Sequence, residues 1–211
     1  MSTLAVITHY NRPLVCLAAI QSVAPQVDGV VVVDNSDTDP MPGGSGWSRI
    51  AYDEHPCNLS RAWNLGIDWA QEQATTDQWE VVIMNDDAEV PDGWVDAVRT
   101  NMRDQGAVAG CSGDHDVVLR SPGPVPLSMR MQGWAFMLAG EKGLRIDEQF
   151  EWWFGDSDID WQARLAGGMA MIRGFRTNNK FADGYTVGHR QVQAAADAER
   201  FNRKWGGLRA W

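Results

Sequence analysis

The residues best suited to chemistry are Asn85, Asp86 and Asp87, which directly follow the apolar run Val81-Val82-Ile83-Met84. A second acidic cluster, Asp156, Asp158 and Asp160, lies downstream. Carboxylate oxygens are hard ligands that suit Mg²⁺ or Mn²⁺, and such an ion in turn suits a substrate diphosphate. A short apolar run bounded by polar residues reads as a buried, parallel strand. Open α/β sheets bind ligands beyond the carboxyl ends of such strands. A competing reading gives Asp86 and Asp87 only a capping role ahead of the helix expected from Pro91 onward.

Alternating elements supply the frame for these clusters. Leu4 to Thr8 reads as a strand, followed by His9-Tyr10-Asn11-Arg12-Pro13, where Asn11 can cap a helix beginning near Pro13. Val30 to Val33 is a β-branched run ending in Asp34-Asn35-Ser36-Asp37, and Ile50 to Tyr52 is a third short strand. From Asn58 onward, Leu59, Ala62, Trp63, Gly66, Ile67 and Ala70 recur at helical spacing. A helix over roughly 93–103 follows the Val81 to Met84 strand. Strand and helix thus alternate through the first half, which indicates a mostly parallel sheet flanked by helices.

The second half is less regular. Ser112 to Ser128 is rich in Gly, Pro and polar residues and is expected to be a mobile loop. Gln132 to Ala139 and Met169 to Ile172 read as strands, Asp156 to Ala166 as a helix, and Gln191 to Lys204 as a polar final helix. Gly43-Gly44-Ser45-Gly46 neither follows a strand directly nor opens a helix, so it is a flexible loop rather than a phosphate cradle.

Composition narrows the classes. At 211 residues the chain fits one domain, and a 44% hydrophobic share is enough for a continuous core. A net charge of −10 argues against broad electrostatic capture of nucleic acid or anionic membrane. Cys16, Cys57 and Cys111 are odd in number and widely spaced, as expected of small buried residues in a reducing compartment. No stretch approaches a membrane-spanning length, so a cytoplasmic protein with no membrane insertion is expected.

Five segments in order resemble the family 2 glycosyltransferases, which have the GT-A fold. Thr8 to Pro13 looks like the family's first nucleotide loop, and Val32-Val33-Asp34-Asn35-Ser36 like its second. Asn58 to Gly66 is similar to the Asn/Gly-rich segment that leads into the next helix. Asn85-Asp86-Asp87 falls at the metal-binding Asp-x-Asp position, and Asp158-Ile159-Asp160-Trp161-Gln162-Ala163-Arg164 resembles the Asp-x-Asp-x-x-x-Arg segment. The resemblance implies a single GT-A domain, with a nucleotide-sugar-binding half over about 1–110 and an acceptor-binding half over about 111–211.

It also implies a metal-dependent, inverting transfer of a sugar from a nucleoside diphosphate, UDP- or TDP-linked by default, to an acceptor hydroxyl. Thr8, Asn11, Arg12, Asp34, Asn35, Asn58, Arg61, Asn64 and Asp86 are the implied donor contacts. Because Asn85 replaces the usual first aspartate, Asp87 becomes the main Mn²⁺ or Mg²⁺ ligand, and His189 can add a second. Asp158 is the implied base, with Asp156 as rival because the Asp-x-Asp-x-Asp run permits a slip of two residues. Asp160 fits a helix cap that pairs with Arg164 at i,i+4. Trp134, Trp152 and Trp153 have faces suited to a sugar ring, or to core packing.

The acceptor stays open among protein, glycan, lipid carrier and modified nucleic acid. Two alternatives compete with the transferase. A sugar-phosphate nucleotidyltransferase normally uses a Gly-rich, Lys/Arg-bearing loop after the first strand, and Thr8 to Pro13 contains neither glycine nor lysine. A non-catalytic nucleotide-sugar-binding module would need no base at Asp158.

Overall fold

The computed structural model describes residues 1–179 and 189–206, and for His189 the backbone alone. Its centre is an apolar parallel ladder. β1 (Ser2–His9) pairs in parallel with β2 (Gly29–Asp34) on one side and with β4 (Trp79–Asn85) on the other. Val81 to Met84 are fully buried, as a central strand covered on both faces requires. β3 (Ser48–Ala51) closes the edge beside β2. On the far side follow β8 (Ala135–Ala139), β6 (Ala109–Gly113), β9 (Met169–Arg173) and β7 (Val117–Leu119), giving the order β3-β2-β1-β4-β8-β6-β9-β7. Only β8 and β7 run against the rest. The fold is the mixed α/β, mostly parallel single domain that the alternation of elements predicts.

Helices cover both faces: α1 (Pro13–Val23), α2 (Leu59–Gln73), α3 (Trp94–Asp104), α4 (Gly155–Ala166) and the terminal α5 (His189–Trp205). The α2 helix packs tightly on β1 because Gly66 has no side chain, and a Cβ there would come within 2.0 Å of Val6 Cγ1. A two-stranded ribbon of β5 (Ala88–Glu89) and β10 (Asn178–Asn179) sits beside the end of β4.

Two expectations are corrected. Ser112 to Ser128 is not one continuous loop: it ends β6, forms β7 against β9, and includes a 3₁₀ turn at Leu127–Met129. Three residues of Val-Val-Leu are too short a run to carry a periodic signal. Asn11 does not cap α1 either. Arg12 is the N-cap residue and makes no side-chain capping bond, while Asn11 adopts φ +52° and its Oδ1 accepts from the Thr38 and Asp39 N–H groups. Asn11 ties the first strand-end loop to the second instead.

Candidate functional site

Strand register brings the first acidic cluster and the first loop together. Thr8 pairs with Asn85, so the next residues, His9 at the last position of β1 and Asp86 just past β4, come side by side. Buried His9 Nδ1 lies 3.1 Å from Asp86 Oδ2, the Tyr10 N–H donates to the same oxygen at 3.2 Å, and Arg12 Nη2 donates to Oδ1 at 2.6 Å. Asp86 is therefore held on three sides. Asp87 is held by less: among the described residues its nearest cation is Arg12 Nη1 at 3.7 Å. Burial, and then the charge of Asp86, push the Asp87 carboxyl above the usual carboxylate range.

That deficit of positive charge fits a divalent cation. Mg²⁺ and Mn²⁺ are commonly held by one or two carboxylates plus substrate phosphates and water. Among the described residues no group of three or more His, Cys, Asp or Glu converges as a metal cage. Asp87 can thus be the protein's ligand to an ion that arrives with a diphosphate. The His189 side chain lies outside the described residues.

The antiparallel strand β8 brings the second half to the same place. Met84 pairs with Ala135, so the residues entering β8 sit at the exit of β4, and the Asn85 N–H donates to the Trp134 carbonyl at 3.1 Å. Immediately before, the Gly133 N–H donates to Asp156 Oδ2 at 3.1 Å. A Cβ on Gly133 would lie 3.1–3.4 Å from that carboxyl group, so glycine permits the approach. Asp156 opens α4 just after Phe154, a non-glycine residue at φ +67°. Such backbone strain is commonly found at functional sites. Burial pushes the Asp156 pKa up, although N–H groups of Ser157 and Gly133 oppose the shift.

These groups share one cleft of about 280 Å³ at the carboxyl ends of the parallel strands, the position expected for ligands in open α/β sheets. Thr8, Arg12, Asn35, Asp86, Asp87 and Asp156 line it. On its floor, His9 Nε2, Asn35 Oδ1, Trp63 Nε1 and Asn85 Oδ1 are buried with no hydrogen-bond partner among the described residues, leaving both donors and acceptors for a ligand. Trp134, Trp152, Trp153 and Phe154 form an aromatic wall. The Arg190 guanidinium stacks 4.0 Å from the Trp152 ring centroid and 5.6 Å from that of Tyr10, spanning both sides of the mouth.

Other predicted residues sit outside the cleft lining and hold its frame. Asp34 accepts from Ser36 N, Met41 N and Arg49 Nε. Burial raises its pKa, but these donors outweigh that and keep it below the usual range. Asn58 caps α2 by accepting from the Arg61 N–H and also donates to the Glu148 carbonyl. Arg61 pairs with Glu54 and Glu148 at the surface, and Asn64 is bonded to both backbone groups of Ile146. Asn11 joins the two loops as described.

Asp158 is fully buried and away from the cleft lining. Its oxygens accept from Gln162 Nε2 at 2.7 Å and Trp205 Nε1 at 2.8 Å, and Lys204 Nζ is 2.9 Å away. Asp160 forms a two-pronged buried pair with Arg164, as their i,i+4 spacing suggests. Sequence reasoning missed His9, Gly133 and Trp63. His9 was within reach of a register argument: aligning the two strand ends places it against Asp86.

Comparisons with known proteins bear on the family and the fold. A profile described as glycosyl transferase family 2 matches residues 4–131. The match spans β1 to the approach of β8 and ends before the second acidic cluster. A search by sequence finds no match among curated proteins. Among solved structures, residues 1–349 of S. aureus TarS superpose with a TM-score of 0.59 at 11% identity, over 96% of this chain and 72% of that one. The same fragment in complex with UDP gives the same values. Longer S. aureus TarS matches with a TM-score of 0.57 at 13% identity, over 99% of this chain and 44% of its own length. At such identities the likeness is one of fold.

Proposed function

The chain belongs to glycosyl transferase family 2, and from that premise we propose that it transfers a sugar, with inversion and the help of a divalent ion, from a nucleoside diphosphate to an acceptor hydroxyl. The observation that carries the reading is that Asp87 and Asp156 line the same cleft, one from each half of the chain. Residues of about 1–110 supply the donor side: Thr8, Arg12, Asn35 and Asp86 at the strand ends. Residues beyond about 111 supply the acceptor side: Trp134, Trp152, Trp153 and Asp156.

Of the two candidates for the base, Asp156 is favoured. A general base must reach the proton it removes, and Asp156 lines the cleft, whereas Asp158 is enclosed by Gln162, Lys204 and Trp205. Asp156 accepts the acceptor proton as the hydroxyl oxygen attacks the anomeric carbon. The departing diphosphate leaves from the opposite face, which inverts the configuration. A divalent ion on Asp87, when bound, neutralises charge on the leaving diphosphate. Arg12 fixes Asp86 and faces Asp87, and Arg190 adds positive charge at the mouth. The apolar wall limits the access of water, the competing acceptor.

UDP or TDP is the proposed carrier. The test is thermal stabilisation by UDP, TDP, GDP and CDP, each with Mn²⁺ or with EDTA, followed by release of the diphosphate from the matching sugar nucleotides. Stabilisation by none of the four rejects the donor reading. Equal stabilisation with Mn²⁺ and with EDTA rejects the ion.

A further inference from the structure

A second, hidden carboxylate organises the acceptor side. Asp197 is fully buried on α5 and does not line the cleft. Its oxygens accept three consecutive backbone N–H groups, from Glu151 at 3.2 Å, Trp152 at 2.8 Å and Trp153 at 2.9 Å, and Arg200 Nη1 lies 2.8 Å away. One turn on, Phe201 packs among Phe150, Phe154 and Trp161, at centroid distances of 6.1, 5.2 and 5.1 Å. The segment held this way carries the cleft-facing rings of Trp152, Trp153 and Phe154 and leads directly into Asp156.

A single charge-assisted acceptor bound to three successive amides fixes the path of a loop more firmly than packing alone. Trp153 keeps 48% of its surface exposed at the edge of the cleft. We propose that Asp197 is a positioning residue for an aromatic acceptor subsite, and that Trp153 stacks there on the C–H face of an uncharged carbohydrate ring. The proposal rests on the glycosyltransferase reading and adds the acceptor's chemical class to it. A flat indole face complements a pyranose face, whose hydroxyls point outward around its rim. Stacking there would present one of those hydroxyls to Asp156, at the end of the same segment. Displacing the wall by about 1 Å is enough to cost about 100-fold in a positioned reaction.

The test uses saturation-transfer NMR on the full chain with methyl glycosides of glucose, galactose, mannose and N-acetylglucosamine, in both anomers, with and without UDP and Mn²⁺. At least one glycoside should bind the wild-type protein, and Trp153→Ala should abolish its signal. Asp197→Asn should weaken that glycoside at least ~10-fold while UDP affinity stays within about twofold, because only the wall is released. Should Asp197→Asn fail to fold, Asp197→Glu keeps the charge, displaces the carboxylate by one methylene, and carries the same expectation. Parallel loss of glycoside and UDP binding would mean that Asp197 is merely structural and would overturn the proposal. So would unchanged glycoside binding in the Asp197 variant, or binding of no glycoside by the wild type, the result expected if the acceptor is a peptide or a lipid. Absence of UDP binding to the wild type would count against the donor reading alone, since the glycosides are also measured without nucleotide.

Discussion

Replacing Asp156 by asparagine separates the two acidic candidates, because their surroundings predict opposite phenotypes. The Asp156 carboxylate accepts from the Gly133 and Ser157 N–H groups. An amide oxygen can keep one of these bonds, so the loss is about 1 kcal/mol, or about 2–4 °C in melting temperature for a chain of this size. Charge works the other way. Burial raises the Asp156 pKa, so its ionisation opposes folding. That contribution to stability is present at low pH and lost as pH rises through the folded-state value, and asparagine removes the loss.

Turnover should nevertheless fall ~10²–10⁴-fold, because asparagine cannot take the acceptor proton. Wild-type activity should likewise fall as pH drops through the raised pKa, where an exposed aspartate would still be ionised. Asp158→Asn should show the reverse. Neutralising Asp158 weakens bonds to Lys204, Trp205 and Gln162 that are worth about 1.5–3 kcal/mol where one partner is charged, or roughly 3–12 °C. Its turnover below the melting range should stay within about tenfold of wild type. The assay is release of nucleoside diphosphate from the sugar nucleotide, alongside thermal melts. A folded Asp156→Asn with turnover within about tenfold of wild type refutes the assignment, as does a thermally intact Asp158→Asn that has lost activity.

Three further outcomes follow from the same geometry. Asp87→Ala should abolish the extra stabilisation that UDP gains from Mn²⁺, worth about 2.7 kcal/mol at a hundred times the dissociation constant, and titration calorimetry would check it. Arg12→Ala removes the cation shared by Asp86 and Asp87, so nucleotide affinity should drop by at least ~10-fold on the order of a lost charged hydrogen bond; unchanged UDP binding would refute a donor role. Gly66→Ala forces a methyl group into Val6 and should destabilise by about 1–3 kcal/mol, read from urea denaturation, with the UDP dissociation constant unchanged in the folded fraction.

The parallel half of the fold was legible because its signals are local. Apolar runs such as Val81 to Met84 and Val30 to Val33 end in polar residues, and the helices between them carry 3.6-residue periodicity. In the second half, β7 has three residues and β5 and β10 two each, so pairing with distant partners, not local propensity, defines them. The site divides in the same way. That Asp87 lines the cleft was legible from its place directly after a buried strand. The distinction between Asp156 and Asp158 was not, since it depends on Lys204 and Trp205 arriving from α5, 46 or more residues away along the chain.

Asp34 and Asn35 make the same point at closer range. Asp34 ends β2 and Asn35 follows it, and the residue types alone suit either a turn or a ligand. Position in the folded sheet separates them. The Asp34 oxygens are taken up by Arg49 and by backbone N–H groups of its own loop, whereas the Asn35 amide nitrogen donates to the Tyr52 and Glu54 carbonyls and leaves its oxygen over the cleft floor. A buried acceptor held in one orientation by two carbonyls cannot turn away when a ligand arrives. On the proposed donor reading, Asn35 is therefore better placed than Asp34 to accept a hydrogen bond from a nucleobase, although a carboxylate would be the stronger acceptor in isolation.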